Sequence, residues 1–459
     1  MADEFSQINV QVIRTDRTGL QNISEKLGLR DKMDLAPVIA TVEDVIAAIR
    51  TQGDTAVLNY TARFDKVQLT ASQLRVTSAE TAAAKASLDA DFLQTLEDAA
   101  ANICAFHKAQ LQPDLRLPTA FGGYTGLIQR PLDTVGVYVP GGSAPLPSSV
   151  LMNVLPAKAA GVGRVVMCTP PRQDGTVDPA ILAAADIAGV DEIYRVGGAQ
   201  AIAALAYGTA TIPAVDKICG PGNIYVNTAK RLVYGHCDID LFAGPSEILI
   251  LADDSATPTY VAADMLSQAE HDPLASSILV TTSAALAEQV AAELQRRVPL
   301  LPRRQILEQS LNNYGAILVV PDLETAIAFT NELAPEHLEL CLEDAVLDQT
   351  IAAIRHAGAI FVGHFSPEPL GDYFAGPNHV LPTSGTARFF SPLNTADFIK
   401  KTSLIHYTQR DLAAVWEKVA RFADQEQLAA HADALRVRFG ADLAQAGPAS
   451  IDQAQEGHV

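Results

Sequence analysis

The sequence predicts an α/β fold built on two sheets, with helical regions before and after them. From Val135 onward, short apolar strands alternate with Gly- or Pro-rich turns and Ala-rich helices, which is the pattern of parallel α/β proteins. A break between Asp238 and Ser246 divides the strands into two groups, and strand character ends after Pro392. These observations favour two α/β domains followed by a small helical C-terminal region.

The individual elements follow from the spacing of apolar residues. Apolar residues recur at helical spacing in 34–50 and, near the C-terminus, in 412–438. Residues 81–110 are Ala-rich and predict one long helix, interrupted if anywhere at 89–91. The polar tail 442–459 has no periodicity, so we expect it to be disordered. The predicted strands are 135–139, 165–168, 192–196, 248–252, 278–282, 316–320 and 359–362.

Composition limits the classes of function. The 459 residues are 48% hydrophobic and 19% charged, which is enough to build several domains. The formal charge of −20 and the dispersed Lys and Arg residues disfavour a nucleic-acid partner, whereas a cationic small substrate would be tolerated or attracted. The N-terminus lacks a secretory signal, and no apolar window is long enough to predict a membrane span. Five cysteines without paired spacing fit a reducing compartment, so we expect a cytoplasmic protein.

The segment from Gln268 to Asp272 is the first candidate for metal binding. Gln268 and His271 are three residues apart at the end of a segment with helical spacing, so both side chains leave the same face of its last turn. Two ligands on one helical face suit a metal ion, although a Gln and a His at a helix end are more often a solvated cap.

Two further segments combine a carboxylate with an imidazole. Pro335 stops a helix and sets Glu336 and His337 just before a short strand, and modest pKa shifts would bring either group into range for proton transfer. Asp372 and His379 are displayed from a loop rich in Gly and Pro, where α/β proteins often place functional residues. Taken alone, each pair is also compatible with a structural role.

The remaining motifs are weak by themselves. Glu426 and His431 lie five residues apart on the predicted C-terminal helix, which places them on neighbouring faces. A Glu and a His at this spacing are ordinary on the surface of a helix. The Gly-x-Gly-x-x-Gly dinucleotide fingerprint is absent, so two interpretations of the chain's Gly-rich turns stay open: purely structural turns, or turns that contact a nucleotide. Gly-rich turns that would let backbone amides approach a phosphate or a substrate occur at 140–145, 196–201, 220–223 and 243–246.

Taken together and in order, these motifs resemble histidinol dehydrogenase. The resemblance covers the chain except the first few tens of residues and the tail, and eight ordered motifs make a chance likeness negligible. It implies a zinc- and NAD-dependent enzyme of histidine biosynthesis that oxidises L-histidinol through L-histidinal to L-histidine, with two NAD reduced per turnover. The motifs occupy 138–142, 196–200, 220–223, 243–247, 268–271, 334–337, 371–383 and 426–431.

The resemblance also implies a homodimer and an architecture. The fold would contain two incomplete Rossmann-like domains, an N-terminal helical arm and a small helical C-terminal domain. The first Rossmann-like domain would hold the metal and catalytic residues, and the second would contact NAD. The implied ranges are 1–35 for the arm, 36–137 with 247–392 for the first domain, 138–246 for the second, 393–441 for the helical domain and 442–459 for the disordered tail.

Roles for individual residues follow from the same resemblance. His337 would be the general base that removes the alcohol proton, and Glu336 would activate the water that hydrates the aldehyde. Zinc would be bound by Gln268, His271 and Asp372 of one subunit and His431 of the other. The substrate would contact Ser246, Gln268, His271, His337, Asp372, His379, Glu426 and His431. NAD would contact Tyr138, Gln200 and Asn223.

One position departs from the family pattern, and other functions stay open. The pattern usually has Gly between Glu426 and the following Leu, where this chain has Gln427, and the change affects local helix geometry beside Glu426. A related zinc and NAD dehydrogenase of another small vicinal hydroxy compound, such as a sulfonated diol, is the nearest alternative. A metal hydrolase is a second alternative, but the chain has no His-Glu-x-x-His motif of the kind found in zinc hydrolases. A non-catalytic binding protein leaves the combination of ligands and proton-transfer residues unexplained.

Overall fold

The computed structural model describes residues 8, 10, 12–15, 35–141, 145–242 and 244–440. Its strands form a five-stranded, a six-stranded and a three-stranded sheet. As far as the ranges are described, contacts group Met1–Leu111 with Pro131–Ile399 in one compact unit, and Gln112–Arg130 with Lys400–Val459 in a second. The predicted tail, and most of the predicted arm, lie outside the described residues.

Strands and helices are numbered here in chain order. The strands are β1 (Val12–Arg14), β2 (Leu115–Pro118), β3 (Tyr124–Pro131), β4 (Thr134–Tyr138), β5 (Arg164–Thr169), β6 (Glu192–Arg195), β7 (Lys217–Cys219), β8 (Asp238–Ile239), β9 (Glu247–Ala252), β10 (Ser276–Thr281), β11 (Gly315–Val319), β12 (His337–Cys341), β13 (Ala359–Val362) and β14 (Ile399–His406). The α-helices are α1 (Ala36–Gln52), α2 (Asp54–Tyr60), α3 (Ala71–Leu74), α4 (Ser78–Ala86), α5 (Ala90–Lys108), α6 (Pro147–Ala160), α7 (Pro179–Ala188), α8 (Gly198–Tyr207), α9 (Ile224–Val233), α10 (Pro258–Ala269), α11 (Ala284–Arg297), α12 (Arg304–Tyr314), α13 (Leu323–Leu333), α14 (Asp344–Ala353), α15 (Glu368–Tyr373), α16 (Gln409–Ala413), α17 (Trp416–Gln425) and α18 (Ala429–Arg436).

The five-stranded sheet is parallel, with the order β6-β5-β4-β7-β8. The first strand is therefore central, the next two lie on one side of it and the last two on the other, as in doubly wound nucleotide-binding folds. Helices α5, α6 and α7 pack on one face and α1, α8 and α9 on the other. Burial on both faces explains why β4 and β5 are almost continuously apolar.

The six-stranded sheet is also parallel, with the order β1-β11-β10-β9-β12-β13. Helices α10, α11 and α12 cover one face, and α13 and α14 cover the other. The two-sheet α/β prediction is confirmed, and each of the seven predicted strands overlaps an observed one.

The N-terminal helices belong with the five-stranded sheet. The prediction of one long helix over 81–110 is wrong, because α4 ends at Ala86 and α5 begins at Ala90. The interruption at 87–89 overlaps the position named for it, and Asp89 caps α5 by accepting hydrogen bonds from the backbone N–H groups of Asp91 (2.9 Å) and Phe92 (3.2 Å). The predicted boundaries place 36–137 with the metal-binding domain. The buried residues of 36–137, such as Val42 and Ile103, instead belong to the hydrophobic clusters that pack around the five-stranded sheet.

The second unit is not purely helical. Strand β14 lies in the three-stranded sheet with β3 and β2, so the prediction that strand character ends after Pro392 is wrong. Most side chains of β14 are exposed, and the strand therefore lacks the apolar run on which the prediction relied. Asp411 of α16 accepts hydrogen bonds from the backbone N–H groups of Phe121 (2.9 Å) and Gly123 (3.0 Å), which joins the β2–β3 hairpin to the helices.

Among the described residues, no helix is both long and apolar enough to cross a membrane.

Candidate active site

Three potential metal ligands meet beside the six-stranded sheet. His271, Glu368 and Asp372 each offer one donor atom, and these atoms lie within 4.8 Å of one another. Glu368 and Asp372 share a face of α15 because they are four residues apart. The prediction that Asp372 lies in a loop is wrong, because the helix continues to Tyr373 before the Gly- and Pro-containing turn begins.

Gln268 and His271 do not both belong to the last turn of α10. The helix ends at Ala269 with Glu270 as its cap, so His271 follows the helix and is exposed, whereas Gln268 is fully buried. Neither amide atom of Gln268 has a hydrogen-bond partner among the residues that the structure describes. Its neighbour Ser267 donates a hydrogen bond to Glu368 Oε2 (3.3 Å), so the last turn of α10 lies against the ligand cluster. A buried amide without partners is costly, which is evidence for a ligand at this point.

Glu336 and His337 lie at the amino end of β12, in the interior of the sheet. His337 Nδ1 is 3.1 Å from the carbonyl oxygen of Glu247, and because a carbonyl only accepts, Nδ1 carries the proton. Nε2 has no hydrogen-bond partner among the described residues and lies 3.8 Å from Asp372 Oδ1 and 4.0 Å from Glu368 Oε1. Nε2 of His337 therefore faces the ligand cluster.

The electrostatics of this centre are governed by buried carboxylates. Burial raises the pKa of Glu336 to about 8, and its Oε2 accepts a hydrogen bond from the backbone N–H of Glu247 (2.9 Å). Burial also raises the pKa of Glu368 to about 8. Burial opposes the imidazolium form of His337, but the carboxylates of Glu336 and Asp372 outweigh it and raise the pKa of His337 to about 10. A bound cation would lower the pKa of these carboxylic acids and favour their ionised forms.

Asp372 and His379 are held close together. His379 Nδ1 is 3.0 Å from the main-chain oxygen of Asp372, and burial lowers the pKa of His379. Burial opposes ionisation of Asp372, but the imidazoles of His337 and His379 hold its pKa well below the usual range. The preceding Asn378 donates a hydrogen bond to the carbonyl oxygen of Met152 (2.6 Å) on α6, which anchors this turn to the five-stranded domain.

The hydrogen bonds described for Glu336, His337 and His379 do not include the side chains of Ser246, Glu426 or His431. Ser246 is half-buried and directly precedes β9, whose first residue binds His337 through its carbonyl oxygen. Glu426 and His431 are exposed and belong to the second unit. The prediction that both lie on one helix is wrong, because α17 ends at Gln425 and α18 begins at Ala429. Gln427, between them, has a φ of 60°, the left-handed backbone that favours glycine.

Glu368 is a candidate ligand that the sequence analysis missed. Its Oε1 is buried and makes no hydrogen bond to the described residues, and its backbone N–H donates to Glu339 Oε1 (2.7 Å), which fixes the start of α15 on β12. Its spacing of four residues from Asp372 was a usable signal, but the predicted motif began only at Gly371.

A second candidate site lies at the carboxyl ends of the strands of the five-stranded sheet. Tyr138, Gln200 and Asn223 line one cleft with a volume of about 1170 Å³. The Tyr138 hydroxyl accepts a hydrogen bond from the backbone N–H of Gly198 (3.1 Å) at the start of α8. Both amide atoms of Gln200 are buried and have no hydrogen-bond partner in the described part of the chain, and Asn223 caps α9. The three residues predicted to contact NAD are therefore brought together.

Comparison with known proteins identifies the family. The family model for histidinol dehydrogenase matches residues 29–439. The chain belongs to the histidinol dehydrogenase family. It is 55% identical over 398 residues to the histidinol dehydrogenase of Geobacillus kaustophilus, covering 87% of this chain and 93% of that relative. It is 49% identical over 430 residues to the one from Clostridium acetobutylicum, covering 94% of this chain and 99% of the relative.

A solved structure agrees with this assignment. The crystal structure of histidinol dehydrogenase from Elizabethkingia anophelis aligns with a TM-score of 0.88 at 38% identity, covering 95% of this chain and 99% of that one. The resemblance inferred from the motifs and the predicted Rossmann-like architecture are confirmed. As a member of the histidinol dehydrogenase family, the protein is an oxidoreductase associated with histidine biosynthesis.

Proposed function

We propose that the protein oxidises L-histidinol through L-histidinal to L-histidine, using zinc and two NAD per turnover. The observation that carries the proposal is the ligand cluster beside Nε2 of His337. A metal-binding site and a proton acceptor then lie within reach of the same small substrate.

The donor set fits zinc. His271, Asp372 and the unpartnered amide of Gln268 offer nitrogen and oxygen atoms, a combination that suits a borderline metal such as Zn²⁺. When bound, the ion would supply Lewis acidity and orient the substrate. Glu368 would either join these ligands or face the substrate's cationic amine, and in both cases its carboxylate would favour a positively charged ligand.

His337 would act first as the base. Without a metal, the carboxylates around His337 favour its imidazolium form, and a bound cation would offset them and leave Nε2 unprotonated. With Nδ1 bound to the carbonyl of Glu247, Nε2 would then take the alcohol proton while hydride leaves the carbon. The fixed hydrogen bond keeps the ring in one tautomer and one orientation. A positive charge on the imidazole is stabilised by the neighbouring carboxylates of Glu336 and Asp372.

Glu336 would act in the second oxidation. Its carboxylate lies 3.6 Å from His337 Nδ1 and is fixed by the N–H of Glu247. A carboxylate with a raised pKa is a stronger base than an exposed one, and would activate the water that hydrates the aldehyde. The hydrate provides the second C–H bond from which hydride leaves.

The cleft that contains Tyr138, Gln200 and Asn223 would bind NAD. The starts of α8 and α9 lie at this cleft, and helix N-termini favour the pyrophosphate. NAD would supply the hydride acceptor. The buried amide of Gln200 supports a polar ligand here, and this mode of binding would not require the usual glycine fingerprint.

A homodimer would complete the metal site. His431 of the partner subunit would be the fourth zinc ligand, and Glu426 of the partner subunit would contact the substrate. Support comes from apolar side chains exposed in the second unit: Phe422 is 69% exposed, Leu428 41% and Ile405 75%. Apolar surface of this kind is typical of a protein interface. We propose that the enzyme acts in the cytoplasm, where its free cysteines would stay reduced.

The activity is tested by incubating the zinc-loaded protein with NAD and L-histidinol and following NADH. We expect two NADH per histidinol, with histidine as the product. Absence of NAD reduction with zinc present would refute the proposal, and oxidation of a sulfonated diol instead would indicate the related dehydrogenase.

The ligand assignment is tested by zinc analysis of purified variants. His431→Ala should lower the zinc content, whereas His337→Ala should keep zinc and lose turnover. His406→Ala is the matched control, because His406 is another exposed histidine of the second unit, and it should keep both zinc and turnover. Full zinc occupancy in His431→Ala would show that the fourth ligand is wrong.

A further inference from the structure

The second strand of the five-stranded sheet lacks an acidic residue that its topology leads one to expect. In doubly wound dinucleotide-binding folds, an Asp or Glu at the carboxyl end of the second strand accepts a hydrogen bond from the adenosine ribose. Strand β5 is the second strand here, and it ends in Cys168 and Thr169, followed by Pro170 and Pro171. None of these residues can accept hydrogen bonds as a carboxylate does.

A carboxylate from another segment lies at this position. Asp65 is the last residue of a short π-helical turn, Thr61–Asp65, that continues α2. Its Oδ1 is 3.1 Å from the point where a Cβ on Gly197 would lie, and that point is 2.6 Å from the Cβ of Pro170. Asp65 therefore meets the ends of β5 and β6 and lines the same cleft as Tyr138.

Nothing in the described part of the chain neutralises this carboxylate. Its Oδ2 is buried and makes no hydrogen bond to the described residues. Burial raises the pKa of Asp65 to about 6, so the group is still largely ionised near pH 7. Buried charges are normally paired or hydrogen-bonded, and this one requires donors from a ligand.

The chemistry of a dinucleotide indicates which donors these are. A pyrophosphate would be repelled by the carboxylate, and Arg63 and Arg172 in the same cleft are better partners for it. A ribose presents two vicinal hydroxyl groups that can both donate to one carboxylate. The position beside β5 and β6 corresponds to the adenosine half in doubly wound folds.

We propose that Asp65 binds the adenosine ribose diol of NAD and excludes a cofactor with a phosphate on the 2′-hydroxyl. The inference rests on the proposed function, because it assumes a dinucleotide in this cleft. It assigns cofactor specificity to the N-terminal helical segment rather than to the sheet.

The test compares kcat/KM for NAD, NADP and NAD lacking the adenosine 2′-hydroxyl, with L-histidinol as substrate. For Asp65→Asn we expect kcat/KM for NAD to fall by about 10-fold or more, the loss typical of a hydrogen bond to a charged group, mainly through KM. The preference for NAD over NADP should shrink by a factor of at least about 10, because the repulsion of the 2′-phosphate is removed. Asp44→Asn is the matched control, since Asp44 is exposed on α1, and it should behave as the wild type.

The deoxy cofactor provides a readout that a merely structural role would not move. The wild type should lose about 10-fold in kcat/KM when the 2′-hydroxyl is absent, and Asp65→Asn should lose much less. Equal use of both cofactors by the wild type, or an unchanged NADP preference in a folded Asp65→Asn variant, would overturn the inference. If the wild type reduces no NAD with L-histidinol, the proposed function itself fails, so the two failures are distinguishable.

Discussion

Replacing Lys230 by Met should strongly destabilise the five-stranded domain. Lys230 and Asp240 form an ion pair in which each side chain is only 1% exposed. The ammonium also donates to the carbonyl oxygens of Gly220 (3.0 Å) and Leu241 (3.1 Å), and Asp240 accepts the backbone N–H of Gly220 (2.7 Å). The variant leaves a buried carboxylate and two carbonyls without their cation, a loss of about 3–5 kcal/mol.

Thermal unfolding followed by circular dichroism provides the measurement. At roughly 2 °C per kcal/mol for a large domain, Tm should fall by about 6–10 °C. Lys217→Met is the matched control: Lys217 is also buried, but its partner Asp238 is 50% exposed and stays solvated, so the loss should be about 1 kcal/mol. Adding Asp240→Asn to Lys230→Met should recover much of the stability, because the unpaired charge is removed. Equal losses for the two Lys variants, or no recovery in the double variant, would refute the reasoning.

Three further predictions concern the second unit, the cysteines and the ligand cluster. Gln427→Gly should raise the stability of the second unit by about 0.5–1 kcal/mol, because relief of the left-handed backbone exceeds the entropy cost of glycine; hydrogen exchange in α17 and α18 measures this, and an equal gain in Gln427→Ala would contradict it. Alkylation of the native protein at pH 8 should label only Cys104, because the other four thiols are buried and burial raises the pKa of Cys237 to about 12; mass spectrometry identifies the labelled sites, and fast labelling of any buried cysteine would show local opening. Gln268→Leu should reduce zinc content without lowering the Tm of the metal-free protein, because the amide has no partner among the described residues, and a large loss of that Tm at constant zinc content would assign it a structural role.

The two parallel sheets could be predicted from the sequence because strands buried on both faces consist of consecutive apolar residues. Strands β4, β5 and β9 are apolar after their first residue, apart from the last residue of β5, because helices cover both faces, and such runs can be recognised in the sequence without knowing which strands are neighbours. Strand β14 escaped prediction for the opposite reason. It is largely exposed and is held by backbone pairing with β3, which leaves no apolar signature.

The same difference applies to the candidate site. The order of motifs by itself determined the family and nominated Gln268, His271 and Asp372, and the α/β pattern determined the fold class. Only the tertiary structure decided that Glu368 joins the cluster and that Asp65 meets the end of β5, more than 100 residues away in the chain. Spacing along a helix or strand reports which side chains share a face, whereas contacts between distant segments depend on how the layers pack.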